Sequence, residues 1–440
     1  MELLRREILP GVNLNYIQSD KFKSSSLSIS MLTQLTRETA SQNAVIPYVL
    51  SRGSKNYPDI QALGNAMDDL YSADISPVIR LVGEIQCTGL ICSFPEERFL
   101  PVGNEYLNDV INLISEILLN PVMKNGFLLQ EYVDSEKLKM ADNLRAAVNE
   151  KRTYALKRCI EEMCCYEEIA VGKAGSPEDC ENIDYKELTS HYNELLSSSP
   201  VEIIFCGSAE LKRVENVLKA ALKNMPRGKI NYDIGTDIRL NTVEDSARYV
   251  EEAMDVTQGK LVLGFRLGDW MDNLNLAELS VFNAIYGAGI TSKLFMNVRE
   301  KLSLCYYASS SVNAHKGIMT VSSGINFNKF EDAKSEILAQ LSAVSSGDIS
   351  DDELTWAKML VKSDLKTVSD SPGAIEAYYF TKIISGYDVS PEKYSDMVDA
   401  VKKDDVINLA KSIVLDMVYF LRNDHASESE SNNTSIGEDK

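Results

Sequence analysis

The sequence predicts an α+β protein of two homologous domains, each a mostly antiparallel sheet covered by helices on one face. Three observations predict it. The chain has 440 residues, too many for one hydrophobic core. Its strand-like runs come in adjacent pairs instead of alternating singly with helices. The same order (paired strands, amphipathic helix, long helices, late strand) also occurs twice along the chain.

In the first copy, 12–17 and 27–31 alternate apolar and polar residues with the period of a half-buried strand. Helical pattern begins near Asn43 and ends at the Gly53–Pro58 turn, and 78–94 reads as a strand pair. Leu107, Val110, Ile111, Ile114, Ile117 and Leu118 line one face of an amphipathic helix. A long helical stretch covers 131–165, a buried-type strand 201–206 and a helix 211–222.

Residues 224–245 carry Pro226, Gly228 and Gly235 without periodicity and read as a linker. The order then recurs: a strand at 260–265, a helix at 275–286, strands at 302–312 and 318–325. Asn328 stands three residues before Glu331, a capping-box spacing. Long helices fill 351–384, and 418–421 is the last strand. The phrase Glu131-Tyr132-Val133-Asp134-Ser135-Glu136-Lys137-Leu138 has a counterpart in Asp352-Glu353-Leu354-Thr355-Trp356-Ala357-Lys358-Met359. A duplication of about 200 residues per copy explains both. The domains expected are therefore 1–223, a linker at 224–245, and 246–422. The remainder, 423–440, is rich in Ser, sets five acidic residues against Lys440, and reads as a disordered tail.

Composition excludes several classes. The net charge of −20, from 45 basic and 65 acidic residues, leaves no basic face for nucleic acid or an anionic membrane. No run of about 18 apolar residues could span a bilayer. The chain opens on charged residues (Glu2, Arg5, Arg6) without an apolar signal segment, so a cytoplasmic location is expected. The eight cysteines form no CxxC pair and suit reduced buried thiols. Three scattered histidines make no metal site.

The most specific segment is Ser292-Lys293-Leu294-Phe295-Met296-Asn297-Val298-Arg299-Glu300-Lys301, continuing to Tyr306. Leu294, Phe295, Val298 and Leu302 pack a short helix inward, Arg299 sits off that face, and Tyr306 lies on the next strand. Taken alone, these are a surface arginine and a half-buried strand tyrosine. The segment nevertheless resembles the substrate-binding Arg/Tyr motif of the insulinase (pitrilysin-like) zinc metallopeptidases, the family that includes mitochondrial processing peptidase. That motif has a Tyr seven residues after an Arg, the spacing of Arg299 and Tyr306. The likeness extends to the Leu119-Asn120-Pro121 helix end and the Leu263-Gly264-Phe265 strand. It is nearest to bacterial half-length members that work as pairs of unequal subunits.

The catalytic half of the family pattern is absent. Active members carry His-x-x-Glu-His before a Gly-Thr turn, two zinc ligands and a general base. With that turn placed at Gly53-Ser54, the three positions are Ala44, Pro47 and Tyr48. The later pair of acidic residues falls on Glu136 and Asn143. The resemblance therefore implies a chain that binds no cofactor and hydrolyses no peptide alone. It implies a substrate-binding subunit whose Arg299 and Tyr306 hold peptide at the zinc of a homologous partner. Two alternatives stay open: a scaffold without peptidase work, like the core subunits of respiratory complex III, and a homodimeric peptide-binding protein.

Overall fold

The computed structural model describes residues 2–101, 103, 105–387 and 389–424. In chain order the first elements are β1 (Leu3–Leu9), β2 (Val12–Gln18), β3 (Ser24–Gln34), α1 (Ala40–Leu50), α2 (Ile60–Asp69), β4 (Asp74–Val82), β5 (Ile85–Pro95) and α3 (Tyr106–Leu119). A small hairpin, β6 (Met123–Lys124) and β7 (Phe127–Leu128), leads to α4 (Gln130–Ala146), α5 (Lys151–Met163), α6 (Pro177–Glu181), α7 (Tyr185–Ser198), β8 (Val201–Gly207) and α8 (Leu211–Ala221). There follow β9 (Arg248–Met254), β10 (Gly259–Arg266), α9 (Leu276–Tyr286), β11 (Cys305–Asn313) and β12 (Ile318–Ile325). The chain closes with α10 (Phe330–Ser345), α11 (Asp351–Val368), α12 (Pro372–Ile384), α13 (Pro391–Ala400), α14 (Lys403–Ser412) and β13 (Val414–Asn423).

The duplication is written in the strand order. One sheet runs β1-β2-β8-β3-β5-β4, the other β9-β13-β10-β12-β11 read from its β9 edge. Leaving out β1, the two orders match strand for strand. In each, the single parallel pairing joins the first repeat strand to the last, β2 to β8 and β9 to β13. Every other neighbour in these two sheets is antiparallel.

The compact units are not the contiguous segments drawn from sequence. The first comprises Met1–Ala146, Val171–Thr236 and Leu365–Lys393, and the second takes Ala147–Ala170, Asp237–Asp364 and the chain from Tyr394 on. Each repeat thus lends one helix to the other unit, α5 to the second and α12 to the first. The boundary at Thr236/Asp237 does fall within the expected linker. The helical stretches expected over 131–165 and 351–384 both break, the first where the chain changes unit and the second just after the change at Asp364/Leu365 inside α11. Ala147–Asn149 is a 3₁₀ turn between α4 and α5. At the second break the Ser371 hydroxyl accepts from Ala374 N at 3.1 Å, and Pro372 takes the first helical position.

The lent helices explain why central strands are buried throughout. On β8, Val201, Ile203 and Phe205 join the core that includes α1 and α3, whereas Ile204 and Cys206 meet Ile375, Tyr379 and Phe380 of α12. Strand alternation sends those two sets to opposite faces. In the second unit α5 lies so close on β10 that a methyl group at Gly264 would meet Met163 Sδ at 2.6 Å.

Smaller expectations also shift. Asn328 lies inside the 3₁₀ turn Phe327–Lys329, so α10 is capped by Lys329 without a side-chain hydrogen bond. Asn423 ends β13, and Asp424 N donates to Met254 O at 3.3 Å. The rest of the expected tail, 425–440, lies outside the described residues. All eight cysteines are unpaired, seven of them buried.

Candidate functional site

The Arg/Tyr segment lies in the second unit. Residues 294–301 form a π-helical turn whose Leu302 N reaches back five residues to Asn297 O at 3.1 Å. Leu294 and Val298 are fully buried and anchor it. Leu302, expected inward, is 45% exposed, because the wider turn rotates it off the buried face. Ser303 then takes a left-handed φ of +48° and directs the chain into β11. Arg299 emerges from the last turn, its guanidinium 4.7 Å from the Phe295 ring centroid and its Nε 3.5 Å from Glu300 Oε1.

Tyr306 owes its position to a bulge. Cys305 pairs with Ile325 and Tyr307 with Gly324, so Tyr306 has no partner in the ladder. Its ring is 60% exposed on an edge strand. The Tyr306 hydroxyl donates to Asn326 Oδ1 at 3.2 Å. Arg299, Glu300, Ser303, Cys305, Tyr306 and Asn326 line one open cavity of about 420 Å³. Burial pushes the Cys305 thiol up, against the Ser323 hydrogen bond and the Arg299 charge. What the cavity offers is a guanidinium fork, a phenol and a carboxamide, a set suited to holding carbonyl or carboxylate oxygen.

Asn326 was not legible in the sequence. It stands twenty residues from Tyr306, and only the register of β11 against β12 brings it there.

The positions expected from the resemblance to correspond to zinc ligands lie in the first unit. Ala44 is fully buried in the core under α1, and Pro47 sits inside that helix. Proline has no N–H to offer the carbonyl four residues back. The Asn43 carbonyl left over is taken by the Thr88 hydroxyl at 2.7 Å, so the proline is accommodated by β5. Tyr48 is a half-buried packing residue. On α4, Asn143 is exposed, while Glu136 is buried and accepts from Arg52 Nη1 at 3.2 Å and Lys139 Nζ at 2.7 Å. A zinc ion does not fit this set: the side chains of Ala44 and Pro47 have no ligand atom, Tyr48 offers a phenol, Asn143 a neutral carboxamide, and the Glu136 carboxylate is held by two cations. Among the described residues no group of three or more His, Cys, Asp or Glu could hold a metal.

Among the described residues, His191 is the histidine hydrogen-bonded to α1. Its Nε2 lies 2.7 Å from Asn43 Oδ1, and burial holds the imidazole below its ordinary range. Asn43 in turn donates to Gln86 Oε1 at 2.7 Å. This buried polar chain braces α1 against β5.

Two units of one sheet topology with exchanged helices give this chain the fold of M16-like peptidases, and part of the chain matches a model of that family. Residues 182–361 match the model described as "Peptidase M16 inactive domain". A Bacillus subtilis protein named "Probable inactive metalloprotease YmfF" is 28% identical over 414 residues, 94% of this chain and 96% of that one. A Rickettsia felis "Uncharacterized zinc protease" is 26% identical over 166 residues, 36% of this chain and 39% of that protein. The crystal structure of a conserved protein from Enterococcus faecalis superposes with a TM-score of 0.85 at 24% identity, over 96% of this chain and 99% of that one. No described helix is long and apolar enough to cross a membrane.

Proposed function

We propose that this chain is the non-catalytic, substrate-binding subunit of a heterodimeric zinc peptidase in a bacterial cytoplasm. The observation that carries the reading is a division within one molecule. Arg299 and Tyr306 line an open cavity, whereas Ala44, Pro47 and Tyr48, where the resemblance leads one to expect zinc ligands, are packing residues. The name of the Bacillus relative, "Probable inactive metalloprotease", supports the non-catalytic part of this reading. In the proposed pair, the partner holds zinc and polarises water. Arg299 and Tyr306 of this chain hold the peptide and donate to the oxyanion that develops at its scissile carbonyl.

The test is turnover of an unstructured peptide by a zinc-bearing homologue from the same organism, with and without this chain. Activity that appears or rises on mixing supports the subunit reading. No effect on the homologue, with peptide bound by neither, would favour the scaffold. Peptide bound by this chain alone, uncut, would favour a peptide-binding homodimer.

A further inference from the structure

Helix α11 is the least covered long helix of the second unit. Of its eighteen residues only Ala357 is buried, whereas its counterpart α4 buries Val133, Glu136, Met140 and Ala141. The exposed face is apolar where it matters. Met359 is 63% and Trp356 48% exposed, three residues apart and so on one side of the helix. The turn after α9 extends this face. Gly289 comes so close to α11 that a methyl group there would meet Leu360 Cδ2 at 2.8 Å, and Ile290 beside it is 73% exposed.

The charge at the N-terminal end of this face is acidic. The Asp348 side chain is 80% exposed, 3.9 Å from Lys293 Nζ, and Asp351 and Asp352 are exposed and make no ion pair among the described residues. Lys293 also pairs with Glu353 at 2.9 Å and Lys362 with Asp399 at 2.5 Å, Lys358 donates to Asp399 O at 2.9 Å, and exposed Lys366 lies in the last turn at the other end of the helix. An apolar centre with an acidic rim repels a second copy of a chain carrying −20, and it repels anionic lipid. It complements an apolar surface rimmed by Lys or Arg.

We propose that Ile290, Trp356 and Met359 form a docking face for a basic amphipathic helix of a partner protein. The helix would lay its apolar side on these three residues, with its cations over Asp348, Asp351 and Asp352. This stands apart from the peptidase reading, since the cavity at Arg299 and Tyr306 takes no part in it.

The chain has two tryptophans, so Trp270→Phe leaves Trp356 as the sole tryptophan, excited selectively over tyrosine. The probes are a designed amphipathic helix of Leu and Lys and its Leu and Glu counterpart. The expected result is a blue shift of Trp356 with the Lys helix only, weakened by salt. Ile290→Ser and Met359→Ser should each raise its Kd about tenfold, the order of an apolar anchor lost. Three results would overturn the proposal: no shift with the Lys helix, an equal shift with the Glu helix, or binding that survives both serine variants as general charge attraction. A Trp356 shift that follows protein concentration or anionic vesicles instead would assign the face to a second copy or to a membrane.

Discussion

Arg80 and Glu376 stand 296 positions apart in the sequence, yet both guanidinium NH2 groups of the arginine donate to the carboxylate at 2.8 Å. Glu376 is fully buried on α12, where it also accepts from the Ser28 hydroxyl at 2.6 Å. The same guanidinium lies 4.5 Å from the Phe380 ring centroid. A helix from the end of the chain is thereby fastened to the sheet built at its beginning. The second unit holds its own lent segment likewise. Arg266 bridges Glu167 at 2.6 Å and Asp416 at 2.9 Å, all three buried.

The exchange makes a prediction that chain order would not. Ile375→Ala or Phe380→Ala should destabilise the first unit by about 2–5 kcal/mol through the cavity left behind. The loss should appear in hydrogen exchange as lowered protection of β8 around Ile204 and Cys206, before β10 or β12 respond. Loss of protection confined to the second sheet would contradict the exchange.

Glu167 predicts a pH dependence. Burial raises its carboxyl, but hydrogen bonds from Arg266 and Lys316 outweigh burial and leave it below the ordinary carboxylate range. A lowered folded value means that this stabilisation is fully present above the unfolded pKa and is lost as pH falls through the folded one. Glu167→Gln should destabilise the protein by about 3–5 kcal/mol at neutral pH, because it removes the buried carboxylate that Arg266 and Lys316 share. It should also flatten the acid limb of a stability profile. Urea midpoints of both proteins at pH 7 and in acid measure the two effects.

At the cavity, Asn326 predicts a split between binding and fold. Tyr306 and Arg299 are largely exposed, so Tyr306→Phe and Asn326→Ala should leave the melting temperature within about a degree of the parent, as surface substitutions do. Both should weaken capture of an unstructured peptide, the tyrosine variant more strongly, since it removes a donor and not its orienting partner. Equal melting temperatures with unchanged peptide affinity would remove the cavity from substrate binding.

Strands with alternating or continuous apolar runs were legible because burial imposes the pattern directly. The 318–325 strand is found at Ile318–Ile325, and 201–206 within Val201–Gly207. The edge strands β1 and β9 escaped notice. Leu3–Leu9 is mostly exposed and carries Arg5, Arg6 and Glu7, and Arg248–Met254 holds Glu251 and Glu252, charges that protect an edge but hide its period. The helix exchange left only faint local signals, Pro372 and the 147–149 turn, because helical periodicity records that a face is buried and not which sheet buries it. At the candidate site, the spacing of Arg299 and Tyr306 was the signal in the sequence. Asn326 and Thr88 gave none, since the register of β11 against β12 brings Asn326 to Tyr306 and Thr88 meets the Asn43 carbonyl of α1 only in the folded unit.

The most direct test of the division of labour uses Arg299→Ala in the reconstituted pair. Metal content and peptide turnover would be measured together, with this chain either parental or variant. The account predicts zinc in the partner alone, no turnover by this chain by itself, and a fall of about 10²–10³ in turnover for the variant, as for a lost oxyanion donor. Stoichiometric zinc in this chain, or full turnover with the variant, would contradict it.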